Sequence, residues 1–125
     1  MSDQAPLGTV GWLDITVDDA TNLRDFYADV VGWTFQGHSM GDYEDYVMMA
    51  GDTAVGGICH KRGGNAQMPG QWLVYITVPD LDAAVKKAEA RGAKILDGPR
   101  AVGGQGKFCA LQDPSGAAFA LYQAN

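Results

Sequence analysis

Ile15-Thr16-Val17-Asp18-Asp19 returns, 61 residues further on, as Ile76-Thr77-Val78-Pro79-Asp80. Trp12-Leu13 comes back as Trp72-Leu73, one residue out of register. Self-similarity at a fixed offset marks a duplicated unit. Each copy also has the same local logic: a β-branched run ends in aspartate, which can cap a following helix.

Working outward, residues 9–17 read as a strand. After Asp18 and Asp19, Leu23, Phe26, Tyr27, Val30 and Val31 recur at spacings of three and four, which predicts a helix with one apolar face. Gly32 is its expected stop. Strands follow at 33–36, 43–50 and 53–61, separated by a loop at 37–42 and the Gly51-Asp52 turn. A linker with Gly63, Gly64, Pro69 and Gly70 comes next, and then the order repeats. A strand at 71–78 leads to a helix capped by Asp80 or Asp82, with Leu81, Ala84, Val85 and Ala88 on one face and Gly92 at its end. Residues 93–96, 107–112 and 117–123 read as strands, with turns at Asp97-Gly98-Pro99 and Asp113-Pro114-Ser115-Gly116. Each half is therefore β-α-β-β-β, an α+β chain with a loose polar arm at 1–8.

A single domain is expected from 125 residues. Folding at this size buries roughly two-thirds of the unfolded surface, enough for a core without disulfides or structural metal. Fifteen acidic against nine basic residues give a net charge of −6, and the basic residues are scattered. Nucleic acid and anionic membrane are poor partners for such a chain, because both need clustered Lys and Arg. Only Cys59 and Cys109 are present, too few for a secreted disulfide scaffold. Residues 1–7 lack a basic or apolar leader region, and no run approaches ~18 apolar residues. The cytoplasm is the expected location.

The sequence Phe26-Tyr27, followed by Val31-Gly32-Trp33, and the later Asp113-Pro114-Ser115-Gly116 turn resemble the vicinal-oxygen-chelate superfamily of glyoxalases and bleomycin-resistance proteins. The resemblance covers residues 9–123, with module one at 9–62 and module two at 70–123. It implies two βαβββ modules whose curled mixed sheets surround a cavity. Metal-binding members of the family place a His or Glu at two positions in each module. The matching residues here are Trp12, Gly56, Leu73 and Ala120. None offers a lone pair suited to a divalent ion. A member without metal or other cofactor is expected.

Alternation along strands divides the faces. Leu13, Ile15 and Val17 are expected against the helices. Trp12, Asp14, Tyr46, Met48, Tyr75 and Tyr122 are expected to line the cavity as an aromatic ligand site with polar tips, beside small Ala120. Asp14 and His60, the latter in phase with Gly56 and Ile58, are the candidate acid–base groups. Cys59 and His60 are strand neighbours and point apart, so they make no catalytic pair. Gly103-Gly104-Gln105-Gly106 lacks the Lys-Ser/Thr of a phosphate loop and reads as a flexible loop at the cavity mouth. The expectation is a metal-free binding protein for a hydrophobic or aromatic metabolite, of the sequestering or resistance type. The competing expectation is a metal-independent lyase or isomerase using Asp14 or His60. A homodimer is expected, since open sheets leave edges to cover and Trp33, Tyr43 or Trp72 can supply an apolar interface centre.

Overall fold

The structure, a computed structural model, describes residues 5–102 and 104–125. Residues 1–4 of the expected arm and Gly103 of the expected glycine loop lie outside them. The elements are β1 (Val10–Val17), α1 (Ala20–Val31), β2 (Thr34–Ser39), β3 (Glu44–Ala50), β4 (Thr53–His60), a 3-10 turn (Gly63–Asn65), β5 (Leu73–Thr77), α2 (Leu81–Ala90), β6 (Lys94–Ala101), β7 (Gly106–Gln112) and β8 (Ala118–Ala124). This is an α+β chain with βαβββ twice. It divides into two compact units, Leu13–Trp72 and Leu73–Asn125, the latter joined by the residues up to Trp12.

In the first unit the strand order is β2-β3-β4-β1. β1 runs parallel to β4, and the other pairs are antiparallel. The Asp19 carboxylate accepts from the Asn22 N–H at 3.0 Å and starts α1. Gly32 ends it with φ 76°, a left-handed conformation that glycine adopts without a Cβ penalty. The core is Ile15, Ala20, Tyr46, Met48 and Ile58, with Leu23, Tyr27, Trp33 and Trp72 packed against it. Tyr27 stacks on Trp33 at 5.5 Å and meets Trp72 edge-on at 5.3 Å. The Trp72 indole N–H donates to the Tyr27 hydroxyl at 2.9 Å. Trp33 and Trp72 are thus half-buried inside their own unit. Tyr43 is also half-buried, under the Arg62 guanidinium at 4.3 Å. These three residues do not supply the exposed aromatic patch the sequence reading assigned them.

The apolar face of α1 is wider than its contact with the sheet. Leu23 and Tyr27, four apart, pack inward, whereas Phe26, Val30 and Val31 stay 51–61% exposed.

In the second unit the order is β5-β8-β7-β6, with β5 parallel to β8. Asp80, not Asp82, caps α2, accepting from the Ala83 N–H at 3.1 Å. Leu81, Val85, Cys109, Leu111 and Leu121 form the core under α2, flanked by Ile76 and Val78. Gly8 and Thr9 add backbone hydrogen bonds to Thr77 at 2.7 and 3.0 Å. The Asp113 carboxylate holds the β7–β8 turn by accepting from the Ser115 hydroxyl, the Ser115 N–H and the Ala117 N–H. These bonds favour its charged form and hold its pKa below the usual value.

β6 departs from the sequence reading. Asp97-Gly98-Pro99, expected as a turn, lies inside the strand as a bulge: Asp97 pairs with Ala110, and Arg100 with Phe108. Gly98 has φ 96°, and a Cβ there would stand 2.8 Å from the Phe108 carbonyl oxygen, so the bulge needs glycine.

Burial makes a contrast that urea denaturation can read. Ile58→Ala removes a fully buried side chain and is expected to cost about 2–5 kcal/mol. Val30→Ala, at 61% exposure, is expected to stay within about 0.5 kcal/mol of the parent. Equal losses from the two would contradict this packing.

Candidate functional site

Strand pairing settles the faces. Ile58 pairs with Ile15 on one side and with Tyr46 on the other, and Met48 pairs with Gly56. Paired residues share a face, and Ile15 packs with Ala20 of α1. Tyr46 and Met48 are therefore core residues beneath α1 and do not lie on the face of Asp14. The Tyr46 hydroxyl is 2.8 Å from Thr21 Oγ1, and the Arg24 guanidinium lies over its ring at 4.7 Å. The expectation that these two line a ligand site is corrected on this ground.

His60 pairs with Val17 and sits on the α1 side as well. Its Nδ1 is 2.9 Å from the Glu44 carbonyl oxygen. A carbonyl only accepts, so Nδ1 carries the proton there. Tyr43 and Tyr46 approach the ring at 5.7 and 6.1 Å. Asp14 pairs with Gly57, and Thr16 with Cys59, on the opposite face. Asp14 and His60 are thus not brought together, and Gly57, not Gly56, lies across from Asp14.

Asp45 ties the neighbouring groups. Its carboxylate accepts from the His60 backbone N–H at 2.8 Å. Burial first, then the negative charges of Asp14 and Asp45, push the Cys59 thiol well above its ordinary range. A thiol held protonated is a poor nucleophile and a poor metal ligand. Cys109, buried under α2, is pushed up to about 11, chiefly by burial.

The second unit carries the aromatic face. Ile76 and Val78 pack under α2, so Leu73, Tyr75 and Thr77 point the other way. Tyr75 pairs with Ala120 and Thr77 with Tyr122; β7 adds Phe108 opposite Tyr122 and Ala110 opposite Ala120. Tyr75 and Phe108 are 6.0 Å apart, and both are buried, as is Tyr122. The Tyr122 hydroxyl donates to the Gln105 carbonyl. Tyr75 and Tyr122 are therefore brought together, while Trp12, half-buried at the end of this unit's first segment, precedes them in β1. Thr77 Oγ1 is buried and has no hydrogen-bond partner among the described residues.

Two residues of this face escaped the sequence reading. Phe108 was legible as the partner of Tyr122 had the β7–β8 hairpin been registered. Arg100 was hidden by the apparent turn. Its Nε and Nη2 donate to the two Asp97 oxygens at 3.1 and 2.9 Å, and its guanidinium lies over Phe108 at 4.8 Å. The hydrogen bond to Asp97 raises its already high pKa.

A tandem βαβββ chain with one helix against each sheet defines the class of protein. The chain belongs to the glyoxalase/bleomycin resistance protein/dioxygenase superfamily, whose sequence profile matches residues 9–121. It is 34% identical over 115 residues to the glyoxylase-named CFP32 of Mycobacterium tuberculosis, and 31% identical over 129 residues to the anthracycline biosynthesis protein DauV of a Streptomyces species. These alignments cover 91% and 93% of this chain but 43% and 47% of the relatives, so the chain spans less than half of their length. The same fold occurs in methylmalonyl-CoA epimerase from M. tuberculosis (TM-score 0.61, 15% identity, covering 100% of this chain and 96% of that one). It also occurs in a Mn(II)-bound glyoxalase from Novosphingobium aromaticivorans (TM-score 0.59, 19% identity, 94% and 39%).

The donor set here does not fit a metal of that kind. Trp12, Leu73, Ala120 and the glycines at 56 and 57 have no ligating side chain. Among the described residues, no group of three or more His, Cys, Asp or Glu side chains is placed to hold one. No helix among them is long and apolar enough to cross a membrane.

The thiols give a pH test. A folded pKa raised above the unfolded value of about 8.5 contributes stability below that pH, lost as pH rises towards the folded value. For Cys109 that window closes at about 11. Both thiols are expected to resist Ellman's reagent at pH 8 until the protein unfolds. The loss of stability from pH 8.5 upward is expected to be shallower in a C59A/C109A variant. Rapid native labelling of Cys109 would contradict its burial, and rapid labelling of half-buried Cys59 the raised pKa of its thiol.

Proposed function

We propose that this chain is a metal-free binding protein for a small hydrophobic or aromatic metabolite, of the sequestering or resistance type. The ligand is taken on the Tyr75–Phe108–Tyr122 face of the second unit. The observation that carries the reading is the Thr77 hydroxyl on that face, buried without a partner among the described residues. An unsatisfied buried hydroxyl costs about 1–3 kcal/mol, and a ligand oxygen or nitrogen bonded to Thr77 Oγ1 removes that cost. The surrounding aromatic rings supply large apolar area with polar tips, the usual makeup of a small-molecule site.

Two features support a binder over a catalyst. The candidate acid–base groups Asp14 and His60 lie on opposite faces of their sheet, and the thiol beside Asp14 is held protonated. No nucleophile, base and orienting group converge among the described residues, as covalent catalysis requires. One relative is named for the biosynthesis of anthracyclines; these are planar aromatic polyketides and fit the ligand class.

The face is buried in the free protein, with Tyr75 at 6% and Tyr122 at 2% exposure. Binding therefore requires it to open, and association is expected to fall below the 10⁵–10⁷ M⁻¹s⁻¹ range, about what proteins dock with when no rearrangement is needed.

Tryptophan fluorescence and melting temperature across a library of aromatic polyketides and antibiotics test the reading. A saturable shift is expected, and Tyr75→Ala is expected to weaken it by about tenfold or more. No response to any aromatic compound at high concentration overturns the reading. So does a tightly bound, stoichiometric divalent ion in the purified protein.

A further inference from the structure

We propose that Arg100 is an oxyanion anchor for the ligand of this face, and that the ligand carries a carboxylate or phosphate. The inference rests on the binding-protein reading and names the chemistry of what is bound.

A guanidinium has five N–H donors arranged on distinct edges. Asp97 takes the edge formed by Nε and Nη2. The edge formed by Nη1 and Nη2 has no acceptor among the described residues, and it is the edge that takes a second planar oxyanion with two parallel bonds. The Arg100 side chain is 51% exposed, while its Asp97 partner is 8% exposed. The carboxylate takes two of the five donors, and the half-exposed side chain leaves the remaining edge open to solvent.

The anchor is also held in place. Two charge-assisted bonds fix the guanidinium in its plane, and Phe108 lies beneath it. The ordering cost of a long flexible side chain is therefore met before a ligand arrives. In an ordinary strand, residues three apart point to opposite faces. The β6 bulge places Asp97 and Arg100 opposite Ala110 and Phe108, which share the face of Tyr75 and Tyr122. Arg100 thus brings a cation, braced by Asp97, to the face of Tyr75, Phe108 and Tyr122, in a chain whose net charge is −6.

Amide chemical shifts during separate titrations with benzoate and inorganic phosphate test the anchor. Saturable shifts at Arg100, Ala101 and Phe108 are expected from at least one anion. Benzoate alone identifies an aryl carboxylate, phosphate alone a phosphoryl group, and both the oxyanion they share. Arg100→Lys keeps the charge and loses the fork, and is expected to weaken binding about tenfold, the factor that ~1.4 kcal/mol represents. Arg100→Gln is expected to abolish it, and Arg91→Gln, at the end of α2, to leave it unchanged. The absence of shifts at Arg100 with either anion, or equal affinity in folded Arg100→Gln, overturns the anchor. If aromatic compounds bind wild type and Arg100→Gln equally, the anchor falls and the binding-protein reading stands. If phosphate shifts Arg100 while no aromatic compound, benzoate included, binds, the broader reading falls and the local oxyanion site stands.

Discussion

Ile58 stands between Ile15 and Tyr46, and this buried row decides which side of every strand in the first unit meets α1. The row is held by apolar burial on one face only, and a shift of one residue would turn each strand's apolar set to the other face. Everything functional in that unit follows from it. Asp14, Thr16 and Cys59 are left together on the face away from the helix, and His60 is carried to the helix side.

The second unit depends in the same way on β5, β8 and β7. Their pairing aligns Thr77 with Tyr122 and Tyr122 with Phe108. The β6 bulge then adds Arg100 to this set, and Gly98 permits the bulge because a side chain there would collide with the Phe108 carbonyl. The two units share a fold and differ in chemistry. One face holds two aspartates around a protonated thiol; the other holds aromatic rings, a buried hydroxyl and one clamped arginine.

Family membership and donor chemistry point in different directions. The fold is that of a superfamily with a manganese-bound glyoxalase among its solved members. At the positions that the sequence resemblance matches to metal ligands, this chain has indole, aliphatic and glycine residues. A scaffold can keep its sheets while its site changes, because the packing under the helices is separate from the face on which the site is proposed.

The sequence by itself determined the duplication, both helices and the Asp113–Gly116 turn. These depend on local signals: capping aspartates, three-and-four spacing, turn residues and the side chains themselves. It also placed Leu73, Tyr75 and Thr77 opposite the α2 core, since alternation within one strand is a property of the backbone. Only the tertiary structure decided that Tyr46, Met48 and His60 share a face with Ile15, that Trp33 and Trp72 pack on Tyr27, and that Arg100 belongs to the aromatic face. Alternation says that neighbours point apart, but the face each strand turns to the helix is set by its register against strands distant in sequence, and a bulge resets that register by an amount no local pattern announces.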